Sequence, residues 1–178
     1  MNVNTCKIDG ILLIEMKRFH DSRGLFSESY HLERYREAGI SDSFVQDNHS
    51  RSKKNVLRGM HFQVKHPQAQ IVTVLRGKIF DVVVDLRKES KTFGQWFGAE
   101  LSEDGVCQMY MPEGFAHGFY VLSEEADLLY KVSRLYTPHD EGGIRWNDPE
   151  LGIQWPSMNP VISDRDAAYP GFREFFKP

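Results

Sequence analysis

His61 stands in VLRGMHFQVKHPQAQIV, the stretch from Val56 to Val72, which reads as two strands joined by a polar turn. Arg58, Gly59 and His61 occupy positions where a plain strand would carry aliphatic residues. Strand periodicity puts Leu57, Gly59, His61 and Gln63 on one face and Arg58, Met60 and Phe62 on the other. For Arg58 and His61 to serve one site the strand must bulge, and Gly59 is the residue that permits it. The competing reading makes His61 a hydrogen-bonded core histidine and Gly59 a concession to packing.

The second stretch is MPEGFAHGFYVL, where Pro112 and Gly114 form a turn and His117 follows between Phe115 and Phe119. With Gly105 ahead of it, it is similar to the second half of a cupin signature: a glycine, a strand, then P-x-G-x-x-H. Metal-binding cupins also place a His-x-His pair and a downstream glutamate in the first half. Here that half reads His61-Phe62-Gln63, and no glutamate stands between Gln63 and Glu89. His61, His66 and His117 are the three ligands one could imagine, but a metal site needs three or four well-placed donors, and no metal is expected.

In DLLYKVSRLY, Leu128, Tyr130, Val132 and Tyr136 fall on one strand face. Inward tyrosines are commonly hydrogen-bonded core aromatics, yet a phenol held beside a carbanion can protonate it. ISDRDAAYPGF offers Asp164 and Asp166 around Arg165, which by themselves read as a solvated turn. Walker and G-x-G-x-x-G phosphate loops are absent, as is a G-x-S-x-G elbow.

These residues must be held by strands. Short segments separated by turn signals dominate the chain: FVQDNHS, VLRGMHFQV, IVTVLRG, KIFDVVVDLR, QMYMPEG, GFYVL and DLLYKVSRLY. That pattern predicts an all-β sandwich or barrel. In KIFDVVVDLR, Phe80, Val82, Val84 and Leu86 share one face and Asp81, Val83 and Asp85 the other, as in a strand covered on both sides. One helix is expected within YHLERYREAGI, with Leu32 and Tyr35 on one face and Gly39 as its cap. From Trp146 onward a packed, irregular segment is expected.

The length of 178 residues suits one domain, and 40% hydrophobic and 26% charged residues suit a soluble globular protein. A net charge of −3 argues against broad nucleic-acid binding, while a few local arginines would suffice for a small anion. Cys6 and Cys107 read as reduced thiols of a cytoplasmic protein. Lys7 and Asp9 interrupt any apolar run at the start, and no apolar stretch has membrane-spanning length.

Taken in order, DSRGLFSESY, FVQDNHSRS, VLRGMHFQ, VVVDLRKESKTFGQW, MPEGFAHGFYVLSE, LLYKVS, WNDPELGIQWP and ISDRD resemble the dTDP-4-dehydrorhamnose 3,5-epimerases. The resemblance runs from about Asp21 to about Pro170. It implies a metal-free, cofactor-free cupin-type β-barrel (jelly roll) with a few short helices, one domain over 1–178, and a homodimer that exchanges strands. It implies that His61 removes a proton beside the C4 ketone of a nucleoside-diphosphate sugar, that Asp166 orients His61, and that Tyr130 returns a proton to the opposite ring face. Gln46, Asn48, Arg58, His117 and Tyr136 would line the sugar and diphosphate pocket. Arg23, Phe26 and Glu28 would reach the nucleotide from the neighbouring subunit.

The chain departs from the family at PQAQIVTV, where the family reads P-Q-G-K-L-V-R-V. Gln70 replaces a lysine that helps stabilise the enolate, and Thr73 replaces a common arginine. A neutral amide donates a hydrogen bond but brings no charge. The expectation is an epimerase of altered substrate or regiochemistry, with inversion of C3 alone on a dTDP-, CDP- or GDP-linked sugar as one form of it. A metal-dependent cupin enzyme and a silent sugar-nucleotide binding module are the competing classes.

Overall fold

The structure is a computed structural model, and it describes residues 1–176. In chain order the elements are β1 (Asn2–Thr5), β2 (Leu12–Glu15), β3 (Arg18–Asp21), β4 (Gly24–Ser27), α1 (Leu32–Glu37), β5 (Gln46–Lys53), β6 (Leu57–Gln63), β7 (Gln70–Arg76), β8 (Lys78–Asp85), β9 (Trp96–Ser102), β10 (Gln108–Met111), β11 (Phe115–Val121), β12 (Glu125–Val132), β13 (Glu141–Gly143), α2 (Asp164–Ala167) and α3 (Phe172–Phe175). A six-stranded sheet runs β1-β2-β10-β7-β12-β5, and a five-stranded sheet runs β13-β6-β11-β8-β9. Strands β3 and β4 form a separate two-stranded ribbon.

The two large sheets face each other across a core to which both contribute. Val72, Val74, Met109, Met111 and Leu128 come from one, and Ile79, Val83, Leu101, Phe115, Phe119 and Val121 from the other. Fully burying an aliphatic side chain of this kind contributes about 1.5–3 kcal/mol. The outer face of the five-stranded sheet is covered as well. Val82, Val84, Ala116 and Tyr120 pack there against Trp146, Leu151, Ile153, Trp155 and Phe172. Strand β8 is therefore buried on both faces, which is why its sequence breaks simple alternation. Helix α1 covers the outside of the six-stranded sheet, where Tyr35 packs with Ile14, Ile71 and Tyr110. The architecture is the all-β, cupin-type barrel expected.

Several details differ from expectation. Strand β11 begins at Phe115 rather than Gly118, so His117 is a strand residue. Strand β12 stops at Val132, which leaves Tyr136 in the following loop. In α1 only Tyr35 is buried, while Leu32 stays exposed, so the two do not share a packed face. Gly39 takes φ +91° just past the helix, as a helix-ending glycine does. Strands β1 to β4, β9 and β13 were not foreseen. The segment after Trp146 is packed and mostly irregular, but includes α2 and α3.

Candidate active site

The strand bulges where Gly59 predicts. The β6–β11 register pairs His61 with His117 and Arg58 with Phe119, so Gly59 and Met60 together oppose Gly118. Gly59 has φ +124°, and a Cβ there would lie 2.5 Å from the Gly118 Cα and 2.8 Å from the His117 carbonyl oxygen. Only glycine fits. Met60 turns to the outer core while Arg58 and His61 both face inward.

They face a cavity of about 280 Å³ at one end of the space between the sheets. The five-stranded sheet lines it with Arg58, His61, Phe62, Gln63, His117, Phe119 and Glu141. The six-stranded sheet lines it with Gln46, Asn48, Ser50, Gln70, Tyr130 and Val132, loops add Gln68 and Tyr136, and helix α2 adds Arg165. Gln46 fixes Tyr136 in place: its Oε1 accepts from the Tyr136 backbone N–H at 2.8 Å and its Nε2 donates to Asn48 at 2.8 Å.

Helix α2 delivers Asp166 from 105 residues away. Ser163 caps this helix by accepting the Asp166 N–H at 3.1 Å, so the pair ISDRD is not merely a solvated turn. Asp164 is exposed, whereas Asp166 is buried and meets His61 Nε2 at 2.9 Å. Its other oxygen accepts the Gly59 N–H at 3.0 Å. Burial alone would raise this carboxyl, but the hydrogen bonds from His61 and Gly59, the His61 charge and Ser163 outweigh it and hold it at about 2. An ionised carboxylate only accepts, so His61 Nε2 carries the proton and Nδ1 is left as the basic nitrogen.

Across the cavity, Tyr130 shares a 3.2 Å hydrogen bond with Ser50 Oγ. Burial, reinforced by the negative charge of Asp81, pushes this phenol well above its ordinary range against the opposing pull of Ser50 and Arg58. It stays protonated. His117 Nε2 donates to the carboxylate of buried Asp81 at 2.7 Å, and Arg58 Nε donates to Ser52 Oγ at 3.0 Å.

The two departures from the family pattern are placed differently. Thr73 does not face the cavity. Strand parity sends Val72 and Val74 to the inner core and Thr73 outward toward α1, where it accepts from Gln108 Nε2 at 2.9 Å. Gln108 in turn accepts from the Tyr35 hydroxyl. Gln70, on the inner parity, does line the cavity. His66 is held apart from His61 and His117, bonded through Nδ1 to Asp140 at 3.0 Å. Among the described residues, no group of three or more His, Cys, Asp or Glu side chains is arranged to hold a metal ion.

Arg23, Phe26 and Glu28 lie on or beside the β3–β4 ribbon and do not line this chain's cavity. Arg23 pairs with Asp21 at 2.6 Å, Glu28 pairs with Arg34, and Phe26 is 70% exposed. Ser50, Phe62, Gln63, Gln68, Phe119, Val132, Glu141 and Arg165 line the cavity without having been assigned to it from sequence, and Asp81 stands behind His117. For Asp81 a signal existed, since it sits with Val83 on one face of an apolar strand.

The sequence profile of the dTDP-4-dehydrorhamnose 3,5-epimerase family matches residues 5–174. A dTDP-4-dehydrorhamnose 3,5-epimerase from Salmonella typhimurium is 52% identical over 166 residues, covering 92% of this chain and 91% of the relative. A dTDP-4-dehydrorhamnose 3-epimerase from Streptomyces niveus is 42% identical over 168 residues, covering 93% of this chain and 81% of the relative. The crystal structure of a dTDP-6-deoxy-D-glucose-3,5-epimerase from Legionella pneumophila, in complex with dTDP-4-keto-L-rhamnose, superposes with a TM-score of 0.92 at 48% identity, covering 96% of this chain and 92% of that one. Profile, sequence and fold agree over nearly the whole chain, which belongs to the dTDP-4-dehydrorhamnose 3,5-epimerase family.

Proposed function

We propose that the chain, acting as one domain over 1–178, epimerises a dTDP-linked 4-keto-6-deoxy sugar at carbons beside the ketone. Residues 177–178 of that span lie outside the described residues. The observation that carries the reading is the placement of a carboxylate-backed histidine and a protonated tyrosine on facing walls of one cavity, from opposite sheets. His61 Nδ1 takes the proton from the carbon next to C4. The C–H electron pair forms the carbon–carbon double bond of an enolate, whose negative charge rests on the C4 oxygen. Asp166 stabilises the imidazolium so formed. The enolate collapses to the ketone as the same carbon takes the Tyr130 proton from the opposite face, so the centre inverts. The proton on His61 goes to solvent, and Tyr130 regains one from solvent. These are proton transfers alone, and they balance without an oxidant or reductant.

Arg58 supplies positive charge for the diphosphate, with Gln46, Asn48, His117 and Tyr136 shaping the sugar pocket. We place Arg23, Phe26 and Glu28 at the nucleotide of a second copy in a cytoplasmic homodimer. The ribbon's separation from both large sheets and its exposed Phe19, Leu25 and Phe26 support that. No helix among the described residues is long and apolar enough to cross a membrane.

Gln70 favours predominant inversion at C3. A second inversion at C5 requires the bound intermediate to form an enolate again, and a neutral amide stabilises that oxygen less than an ammonium would. The relative from Streptomyces niveus, a 3-epimerase, makes single inversion a precedent within the family. The test is turnover in D₂O of dTDP-, CDP- and GDP-linked 4-keto-6-deoxy sugars, with product analysed by NMR and mass. One deuteron at C3 of the dTDP-sugar is expected. Deuterons at both C3 and C5 at comparable rates would restore double inversion, and preference for CDP or GDP would reassign the nucleotide. No exchange into any sugar would leave a binding module.

A further inference from the structure

Beside His61 stands a residue that the proton-transfer scheme does not use. The ring of Tyr169 meets the His61 ring edge-on, with centroids 5.7 Å apart and planes at 73°. Tyr169 does not line the cavity. It follows α2, the helix that carries Asp166, and it is half-buried. The chain is pinned on both sides of it. The Ala168 N–H donates to the Asp164 carbonyl at 3.1 Å, and the Arg145 N–H donates to the Pro170 carbonyl at 2.8 Å.

The space that this ring occupies is made by Gly143. In the β13–β6 register Gly143 is the direct cross-strand neighbour of His61. Opposed residues of an antiparallel pair project to the same face, about 5 Å apart. A side chain at 143 would therefore stand beside the imidazole. A Cβ at that position would lie 2.3 Å and 2.4 Å from Tyr169 ring atoms. Gly143 is not among the glycines with positive φ, so the backbone does not require it. Its glycine is explained by the tyrosine ring filling its place.

We propose that Tyr169 is a positioning residue for the base, an aromatic wall set into the Gly143 gap that fixes the rotation of the His61 ring. It rests on His61 being the base. Asp166 holds one nitrogen of His61, but a single hydrogen bond leaves the ring free to turn about that contact. The second wall removes that freedom and keeps Nδ1 toward the cavity while Nε2 stays on Asp166. Burial holds the Tyr169 phenol above its ordinary value against the pull of Arg165, with Asp166 and Glu141 raising it further, so it acts as a neutral ring. Misplacing a reacting group by about 1 Å can cost on the order of 10²-fold in rate, so a loosened base should show in turnover before it shows in binding.

The test compares Tyr169→Phe, which keeps the ring, with Tyr169→Leu, which keeps bulk without a flat wall, and with Gly143→Ala, which pushes the ring out from the other side. Turnover of the dTDP-linked 4-keto-6-deoxy sugar is measured together with ¹⁵N-imidazole NMR of the free enzyme. Tyr169→Phe should match wild type within about 2-fold in kcat and KM. Tyr169→Leu and Gly143→Ala should lose about 10-fold in kcat with KM within about 2-fold. In these two variants His61 should also pass from a single Nε2-protonated tautomer to a mixture. If Tyr169→Leu does not fold, Gly143→Ala carries the comparison. Wild-type kcat and an unchanged His61 tautomer in Tyr169→Leu or Gly143→Ala would overturn the proposal. Near-normal turnover of His61→Asn would instead overturn the assignment of the base, and the NMR arm separates the two failures.

Discussion

The cavity is bordered by two imidazole–carboxylate pairs that differ in nearly every physical respect. His61 and Asp166 come from a strand and a distant short helix, and the His61 side chain is 32% exposed. Both oxygens of Asp166 are satisfied, by His61 and by the Gly59 N–H. His117 and Asp81 come from adjacent strands of one sheet, and the His117 side chain is only 8% exposed. Asp81 is fully buried, and its Oδ2 has no hydrogen-bond partner among the described residues. Such orphaned acceptors cost about 1–3 kcal/mol and are kept where function requires them. The contrast supports the proposed division of roles. An accessible ring with a fully satisfied carboxylate can cycle its proton with a ligand. The second pair is a fixed wall whose buried negative charge helps keep Tyr130 protonated.

Replacing His61 by Asn should break the first pair most severely. We expect turnover to fall on the order of 10²–10⁴-fold with substrate affinity nearly intact, whereas His117→Asn should act chiefly on KM. Steady-state kinetics with calorimetric binding checks both, and equal losses in kcat would erase the distinction. Next in size is Asp166→Asn, expected to lower kcat about 10²-fold because the imidazolium loses its counter-charge, while Asp81→Asn should cost about 10-fold or less. Gln70→Lys should raise the rate by a few-fold or shift product toward the doubly inverted sugar, as an ammonium nears the enolate oxygen. Product NMR decides, and an unchanged rate and product ratio would mean that position 70 does not face the reacting carbonyl.

The smallest effect is on stability. The folded protein holds Asp166 at about 2 against an ordinary aspartate's 3.8, so the folded state favours its ionised form. That contribution is about 2 kcal/mol, fully present above pH ~4 and lost as the pH falls toward ~2. Asp85, gripped by Arg87, Thr92 and Ser90 far from the chemistry, is held at about 2 as well. Denaturant unfolding between pH 5 and 2 should therefore show a flatter acid limb for both Asp166→Asn and Asp85→Asn. Only the first should lose activity at neutral pH.

How much of this was legible in the sequence follows from what each feature depends on. Strands such as KIFDVVVDLR announce themselves because apolar side chains repeat toward a core. Strands β3, β4 and β13 are exposed, or glycine-rich as in Glu141–Gly143, and pair through backbone groups that no side-chain pattern reports. Arg58 and His61 could be joined from sequence because Gly59 betrays the bulge. The link of His61 to Asp166 spans 105 residues and entered only through family resemblance. Gln70 and Thr73 both depart from the family pattern, and β7 parity sends one inward and the other toward α1. The fit of Tyr169 over Gly143 requires knowing that Gly143 pairs with His61, which only the register shows.

The central claim is that base and acid act from opposite walls, and Tyr130→Phe in D₂O tests it most directly. With His61 and Asp166 intact, the variant should still form the enolate and return solvent deuterium to the same face. The expected result is substrate that gains deuterium beside the ketone with its configuration retained, at a rate far above that of His61→Asn. Inverted product formed by Tyr130→Phe at the wild-type rate would contradict it, since the second proton would then come from some other group.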